Sequence, residues 1–244
     1  MDINKSFTYS FEDKQWITKL GLGAVIAIIP ILNFAWSGYM VGIMRNVMNN
    51  EAEPLPNWDD IGKKFMDGLM LALAGLVYAL PMLVVICLPM GFMVIPAMMS
   101  GNSDMQDIAN ALAGTGSVLF LCLLCVFVVY ALVLSVIYPA ILVMYAREGT
   151  FASCFKFREV FDIISKNTAA FFTAWGVSLG AGLVIGFVAG LISAVLNIIP
   201  CIGQILSFLI SMAIVVYTSS VYSHLFGQFG SAVFGQSQFV EPAA

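Results

Sequence analysis

Charge is what this sequence lacks most: only 10% of its 244 residues are Asp, Glu, Lys or Arg, where an ordinary soluble domain carries about 25%. The shortage is concentrated. Residues 20–44, 68–103, 108–146 and 167–240 contain none of the four. A chain that is 61% hydrophobic, with mean hydropathy +0.96, has more apolar surface than a water-soluble fold can hide. Each window reaches the roughly 20 residues that a helix needs to cross a bilayer. Hydrocarbon is therefore the expected surrounding.

Histidine is nearly absent as well, His224 being the only one. One imidazole and scattered carboxylates supply neither a nucleophile with its base nor a metal with three protein ligands. No catalytic, cofactor or metal site is expected, and the chain is not read as an enzyme. Five cysteines are scattered, and Cys122 and Cys125, although spaced like a metal knuckle, lie inside an apolar run where they pack as small hydrophobes. The formal net charge is −4 with no basic stripe, which excludes nucleic acid as a partner. The uncharged windows also lack the intramembrane charges of ion- or proton-coupled transporters. His224, near the end of the last window, is expected to be a hydrogen-bonded structural residue. Charges and aromatics before residue 20 argue against a cleavable signal peptide.

Four spans are predicted, over residues 68–88, 117–138, 169–195 and 202–225, the last two joined at 197–203. Residues 89–99, with Pro89 and Pro96, are expected as a bent segment at the membrane surface, followed by a polar, acidic loop at 100–116. Residues 17–48 admit two readings because Pro30 divides them: a fifth span, or a re-entrant hairpin. Lys and Arg gather on the cytoplasmic side, and a hairpin puts all ten there, whereas a crossing strands Lys5, Lys14 and Lys19 opposite. The expected fold is an all-α polytopic transmembrane bundle of four full spans plus an N-terminal re-entrant hairpin, with five spans as the alternative. Residues 1–229 form one integral membrane domain, and 230–244 a short disordered tail. One internal echo is present, Ile28-Ile29-Pro30 recurring as Ile198-Ile199-Pro200.

Three features stand out within this frame. Ser178, Gly182, Gly186, Gly190 and Ala194 recur every four residues, forming a glycine-zipper stripe on one helical face. Such a seam lets a neighbouring helix approach closely in lipid, first of all another span of the same chain, otherwise a subunit. Gly38 and Gly42 repeat the pattern briefly. The loop bearing Pro54, Pro56, Trp58, Asp59, Asp60, Phe65 and Gly68 is read as an interfacial amphipathic helix capped by Asn57, with Trp58 at headgroup level. A second such helix is expected over residues 151–166, where Phe157, Phe161 and Ile164 share a face.

Gly38-Tyr39 ahead of Arg45, the run Leu55-Pro-Asn-Trp-Asp-Asp60 leading into Phe65-Met-Asp-Gly68, and Tyr222-Ser-His-Leu-Phe-Gly-Gln228 near the end resemble a widespread prokaryotic family of multi-pass membrane proteins known only as a domain of unknown function. The resemblance spans most of residues 6–229. It implies a small polytopic protein of the prokaryotic cell membrane and carries over no functional residue. From the residues themselves, the expected role is a non-catalytic component that assembles with itself or other membrane proteins among membrane lipids. A permease or channel for a neutral or lipidic solute is the alternative.

Overall fold

The computed structural model describes residues 1–99 and 106–235, and every regular element among them is helical. In chain order these are α1 (Ile3–Glu12), α2 (Trp16–Ile28), α3 (Asn33–Met48), α4 (Ile61–Met99), α5 (Gln106–Glu148), a 3-10 turn (Phe151–Phe155), α6 (Phe157–Lys166), α7 (Thr168–Leu196) and α8 (Ile202–Phe234). Helices α4, α5, α7 and α8 are each long and apolar enough to cross a membrane. Helix α2 has 13 residues and α3 has 16, short of the roughly 20 needed for a crossing. They pack on each other.

The turn between α2 and α3 is built like the one between α7 and α8. In both, the amide of the second isoleucine closes the first helix, Ile29 onto Ile26 and Ile199 onto Leu196, and an amide four residues later, Asn33 or Gly203, returns to that isoleucine's carbonyl. The residue after proline is left-handed in each, Ile31 at φ 75° and Cys201 at φ 64°. A side chain with a Cβ avoids that region, and a β-branched one most of all. The Ile-Ile-Pro echo is thus a shared hairpin turn.

The chain divides into two compact units, residues 1–72 with 137–244, and residues 73–136. The second consists of the remaining parts of α4 and α5. Within it the Tyr130 hydroxyl donates to the Tyr78 carbonyl at 2.8 Å, while most apolar side chains, such as Leu80, Leu121 and Val129, are exposed. Inside the first unit, α8 packs on α7 and α3, with α1 and α2 also against it. Its core includes Tyr39, Ile43, Met44, Met144, Phe171, Leu225 and Phe229, all fully buried.

Close backbone approach fixes α3 on α4. A Cβ added to Gly38 would collide with the Lys64 carbonyl, and one added to Gly68 with the Phe34 carbonyl. The two contacts are reciprocal, four residues apart on each antiparallel helix. This is the geometry by which small residues join helices in lipid, where apolar side chains gain nothing by leaving the solvent. Gly227 and Gly230 do the same for α8, lying against Val47 and Met48 of α3.

Several expectations need correction. Residues 89–99 continue α4 instead of bending along the surface. Ending a helix in hydrocarbon would expose more backbone than the single N–H that each proline removes. Residues 151–166 are not one helix, because a 3-10 turn precedes α6 and the chain breaks at Lys156 (φ −78°, ψ 60°). On α6, Val160 and Ile163 face the protein, while Phe157 and Phe161 are exposed. Residues 230–234, expected in the tail, are helical. Helix α8 runs to Phe234, whose ring lies 4.2 Å below the Arg147 guanidinium, and residues 236–244 lie outside the described ones.

Gly38→Ala and Gly68→Ala should each lower the unfolding temperature of the detergent-purified protein. The cost expected from overpacking is about 1–3 kcal/mol. Gly176→Ala, where the added methyl meets open space, is the control and should leave the melt unchanged.

Candidate functional site

The loop between α3 and α4 closes one end of the first unit, and its residues are tied to the hairpin from both sides. Asn46, near the end of α3, donates to the Pro54 carbonyl at 3.0 Å, and Lys19, near the start of α2, reaches the Leu55 carbonyl at 3.0 Å. The Lys19 ammonium also pairs with Asp13 at 2.6 Å, both side chains being less than one-tenth exposed. Pro56 covers Gly42, where a Cβ would lie 2.9 Å from the ring.

Trp58 is half-buried against the hairpin. Its ring stacks on Tyr39 at 4.6 Å, Tyr39 in turn stacks on Trp36 at 5.2 Å, and its indole N–H donates to the Lys19 carbonyl at 2.8 Å. The expected interfacial helix is instead the first turns of α4. Its cap is Asp60, which accepts the Lys63 amide at 3.1 Å, and not Asn57. Phe65 sits edge-on to Phe34, and Asp59 and Asp60 are exposed.

One helical turn deeper, Arg45 bridges three helices. Its guanidinium holds both Asp67 carboxylate oxygens, at 2.5 and 3.4 Å, and its Nε–H donates to the Ala146 carbonyl at 3.0 Å. The Tyr145 hydroxyl donates to the same carboxylate at 2.9 Å. Charge-assisted, two-pronged contacts of this kind are the strongest hydrogen bonds a protein makes. They pin α3 to α4 and α5.

Helix α1 is fastened to α8 by a second network. The Gln228 Oε1 accepts the Asp2 amide at 2.6 Å, so its amino group faces His224 Nδ1 at 3.1 Å. Nδ1 is then an acceptor, and the neutral ring carries its proton on Nε2. The Ser6 Oγ lies 2.9 Å from the same nitrogen, and the Tyr9 ring stacks on the imidazole at 4.2 Å. Tyr9 itself donates to the Ser220 carbonyl at 3.1 Å, and burial pushes its phenol up to about 12. His224 is spent on structure.

The glycine stripe of α7 behaves differently from these glycines. Phe171, Ala174 and Ala189 are the buried positions of α7, and Phe171 meets Phe226 and Phe229 of α8. The stripe Ser178, Gly182, Gly186, Gly190, Ala194 starts on that face, where the Ser178 hydroxyl is buried, and winds away from it until Gly190 stands about 100° around the helix from Ala189. A Cβ added at Gly182, Gly186 or Gly190 meets nothing within 4 Å. The neighbouring span of the same chain therefore does not cover the three glycines of the stripe. Cys122 and Cys125 are exposed, as are Cys87 and Cys201, while Cys154 is buried.

Comparison with known proteins bears on the same elements. The family model described as protein of unknown function (DUF4013) matches residues 22–194. The chain belongs to this family. The match runs from within α2 nearly to the end of α7, so it takes in the loop, the Arg45–Asp67 pair and the α7 stripe, and leaves out α8. No curated protein and no solved structure matches the chain.

Removing one member of the Arg45–Asp67 pair leaves the other charge partly buried. Arg45→Met should cost about 2–4 kcal/mol, scaled down from a fully buried pair because both side chains keep some exposure. The double variant Arg45→Met/Asp67→Leu should recover much of that in unfolding titrations. The contrast lies one layer away. Trp58→Ala should cost about 3 kcal/mol as a large aromatic deletion, whereas Tyr39→Phe should be neutral, since the Tyr39 hydroxyl is buried with no partner among the described residues.

Proposed function

We propose that this family member is a non-catalytic, multi-pass protein of the prokaryotic plasma membrane that works by assembling with another copy of itself through the bare face of α7. The observation that carries the reading is the uncovered stripe at Gly182, Gly186 and Gly190, beside a face of the same helix already occupied by α8. Lipid chains fill such a groove poorly. A second helix fills it with backbone contact, and dispersion plus weak Cα–H···O bonds favour that exchange.

The topology that goes with this role keeps the α2–α3 hairpin within one leaflet and the Lys- and Arg-bearing loops in the cytoplasm. Two features support it: both ends of the hairpin bind the same loop, through Lys19 and Asn46, and its turn matches the one joining α7 to α8. A non-catalytic role is supported by the use of the one histidine and of Arg45, Asp67, Lys19 and Asp13 in internal ties. The exposed Phe157 and Phe161 of α6 suit a lipid interface, with Lys156 and Lys166 paired to Glu148 and Asp162 at its polar edge.

Gly186→Leu tests the assembly directly. Because nothing lies within 4 Å of that position, the protomer should melt as the wild type does, while native mass analysis in mild detergent should show the oligomer reduced to monomer. A wild-type protein that is monomeric in lipid nanodiscs at every density would end this reading. For topology, single cysteines at Lys14 and Asn50, both outside the helices and exposed, should be labelled by an impermeant maleimide from the same side of sealed vesicles.

A further inference from the structure

Helices α3, α4 and α5 enclose a cavity of about 260 Å³ within the first unit. Three polar side chains reach it, Asn33 and Ser37 from α3 and Tyr138 from α5, and apolar ones such as Met40, Met44 and Leu142 complete its wall. None of the three polar side chains has a hydrogen-bond partner among the described residues. Its lining holds no charged residue.

Its depth makes that unusual. The Arg45–Asp67 pair borders one end of the cavity, next to Met44 and Leu71 of its lining, whereas Ser37 lies eight residues along α3 from Arg45 and Tyr138 nine along α5 from Arg147. At 1.5 Å per residue these two polar residues sit about 12–14 Å inside the nearest charge on their own helices, at a level where water does not satisfy stray polar groups. Interhelical hydrogen bonding is the usual reason for polar side chains at this depth. Here the residues that carry two hydroxyls and one amide line a shared space instead. The cavity is half-enclosed, and Asn33 on its rim is exposed, so its mouth opens towards lipid.

We propose that this cavity binds the hydroxyl end of a neutral lipid alcohol, a long-chain or isoprenoid alcohol that enters sideways from the bilayer. An alcohol group donates one hydrogen bond and accepts two, and Asn33, Ser37 and Tyr138 can each donate as well as accept. An ionised head would lose its hydration with no opposite charge to meet it. At water's share of about 30 Å³ per small heavy atom group, the space takes on the order of ten such groups. That is a head and the first methylenes, with the rest of the chain left in the membrane. The two methionines supply the adaptable walls common in sites for flexible apolar ligands. This site is independent of the α7 face.

The test uses the full-length protein in phosphatidylcholine nanodiscs and a sixteen-carbon alcohol carrying a photoreactive diazirine near its head. Crosslinks mapped by mass spectrometry should fall in residues 33–44 or 138–142. Unlabelled hexadecanol should compete, and palmitate and hexadecyltrimethylammonium should compete at least tenfold less well. Ser37→Ala and Tyr138→Phe should each weaken binding about three- to tenfold, the loss of one hydrogen bond. Ala72→Leu, which fills the cavity, should abolish labelling; should that variant fail to fold, the near-isosteric Ser37→Ala decides. Gly186→Leu should label like the wild type, which separates this site from the assembly face. Labelling spread evenly over the lipid-facing helices, equal competition by the charged amphiphiles, competition by millimolar glycerol, or indifference to both hydroxyl deletions would each overturn the assignment.

Discussion

Within a bilayer an apolar helix gains nothing by turning its side chains inward, so the architecture depends on contacts that hydrocarbon cannot imitate. Two kinds hold α3 in place. Gly38 and Gly68 let the backbones of α3 and α4 touch, and Arg45 closes the end of that contact by gripping Asp67 and the Ala146 carbonyl. The two act together. The glycines bring the helices close enough for the guanidinium to span them, and the ion pair adds a further tie to the register that the two glycine contacts set. The deep face of the same crossing leaves the space lined by Asn33, Ser37 and Tyr138. The cavity is thus a consequence of how closely α3 and α4 approach above it.

The Leu-Pro-Asn-Trp-Asp-Asp loop acquires a physical meaning from these contacts. Two prolines keep residues 54–56 extended, leaving the Pro54 and Leu55 carbonyls free to accept from Asn46 and Lys19. Trp58 then folds back over Tyr39, and Asp60 starts α4. Pro54, Leu55, Pro56, Trp58 and Asp60 are each engaged by the hairpin or by α4, while Asn57 and Asp59 are exposed. The engaged residues make the loop a brace between the hairpin and α4.

Much of this plan was legible in the residues, and the rest fails to be for identifiable reasons. The four crossing helices follow from the uncharged windows, because length and hydropathy are properties of a segment alone. The α7 stripe was legible as a pattern, yet its partner was not. Periodicity says that a face is smooth but not what lies against it, and the glycines that make tight contacts, Gly38, Gly68, Gly227 and Gly230, show weaker periodicity than the ones that do not. The amphipathic character of Trp58 was legible and suits the headgroup level, but its stacking on Tyr39 was not, since it depends on a fold-back invisible from residues 57–68. The ion pairs did leave one sign. Lys19, Arg45 and Asp67 each directly border an uncharged window, where a charge must either reach water or find a partner inside.

The two Ile-Ile-Pro hairpins place the same turn between helix pairs of different length. After Pro200 the chain continues for 33 helical residues, and after Pro30 for only 16. A shared turn reverses the chain in both cases, and of the two pairs only α7–α8 has helices each long and apolar enough to cross a membrane. The longer pair exposes a smooth outer face on α7. The shorter pair spends its small residues inward, Gly23 against Trp36 and Gly38 against Lys64, and is covered by α8 and by the loop. One kind of hairpin thereby occurs in two settings: α2–α3 is held tightly in the interior, and α7–α8 is left half-bare on the surface that the proposed assembly would use. The division is set by which glycines find a partner within the chain.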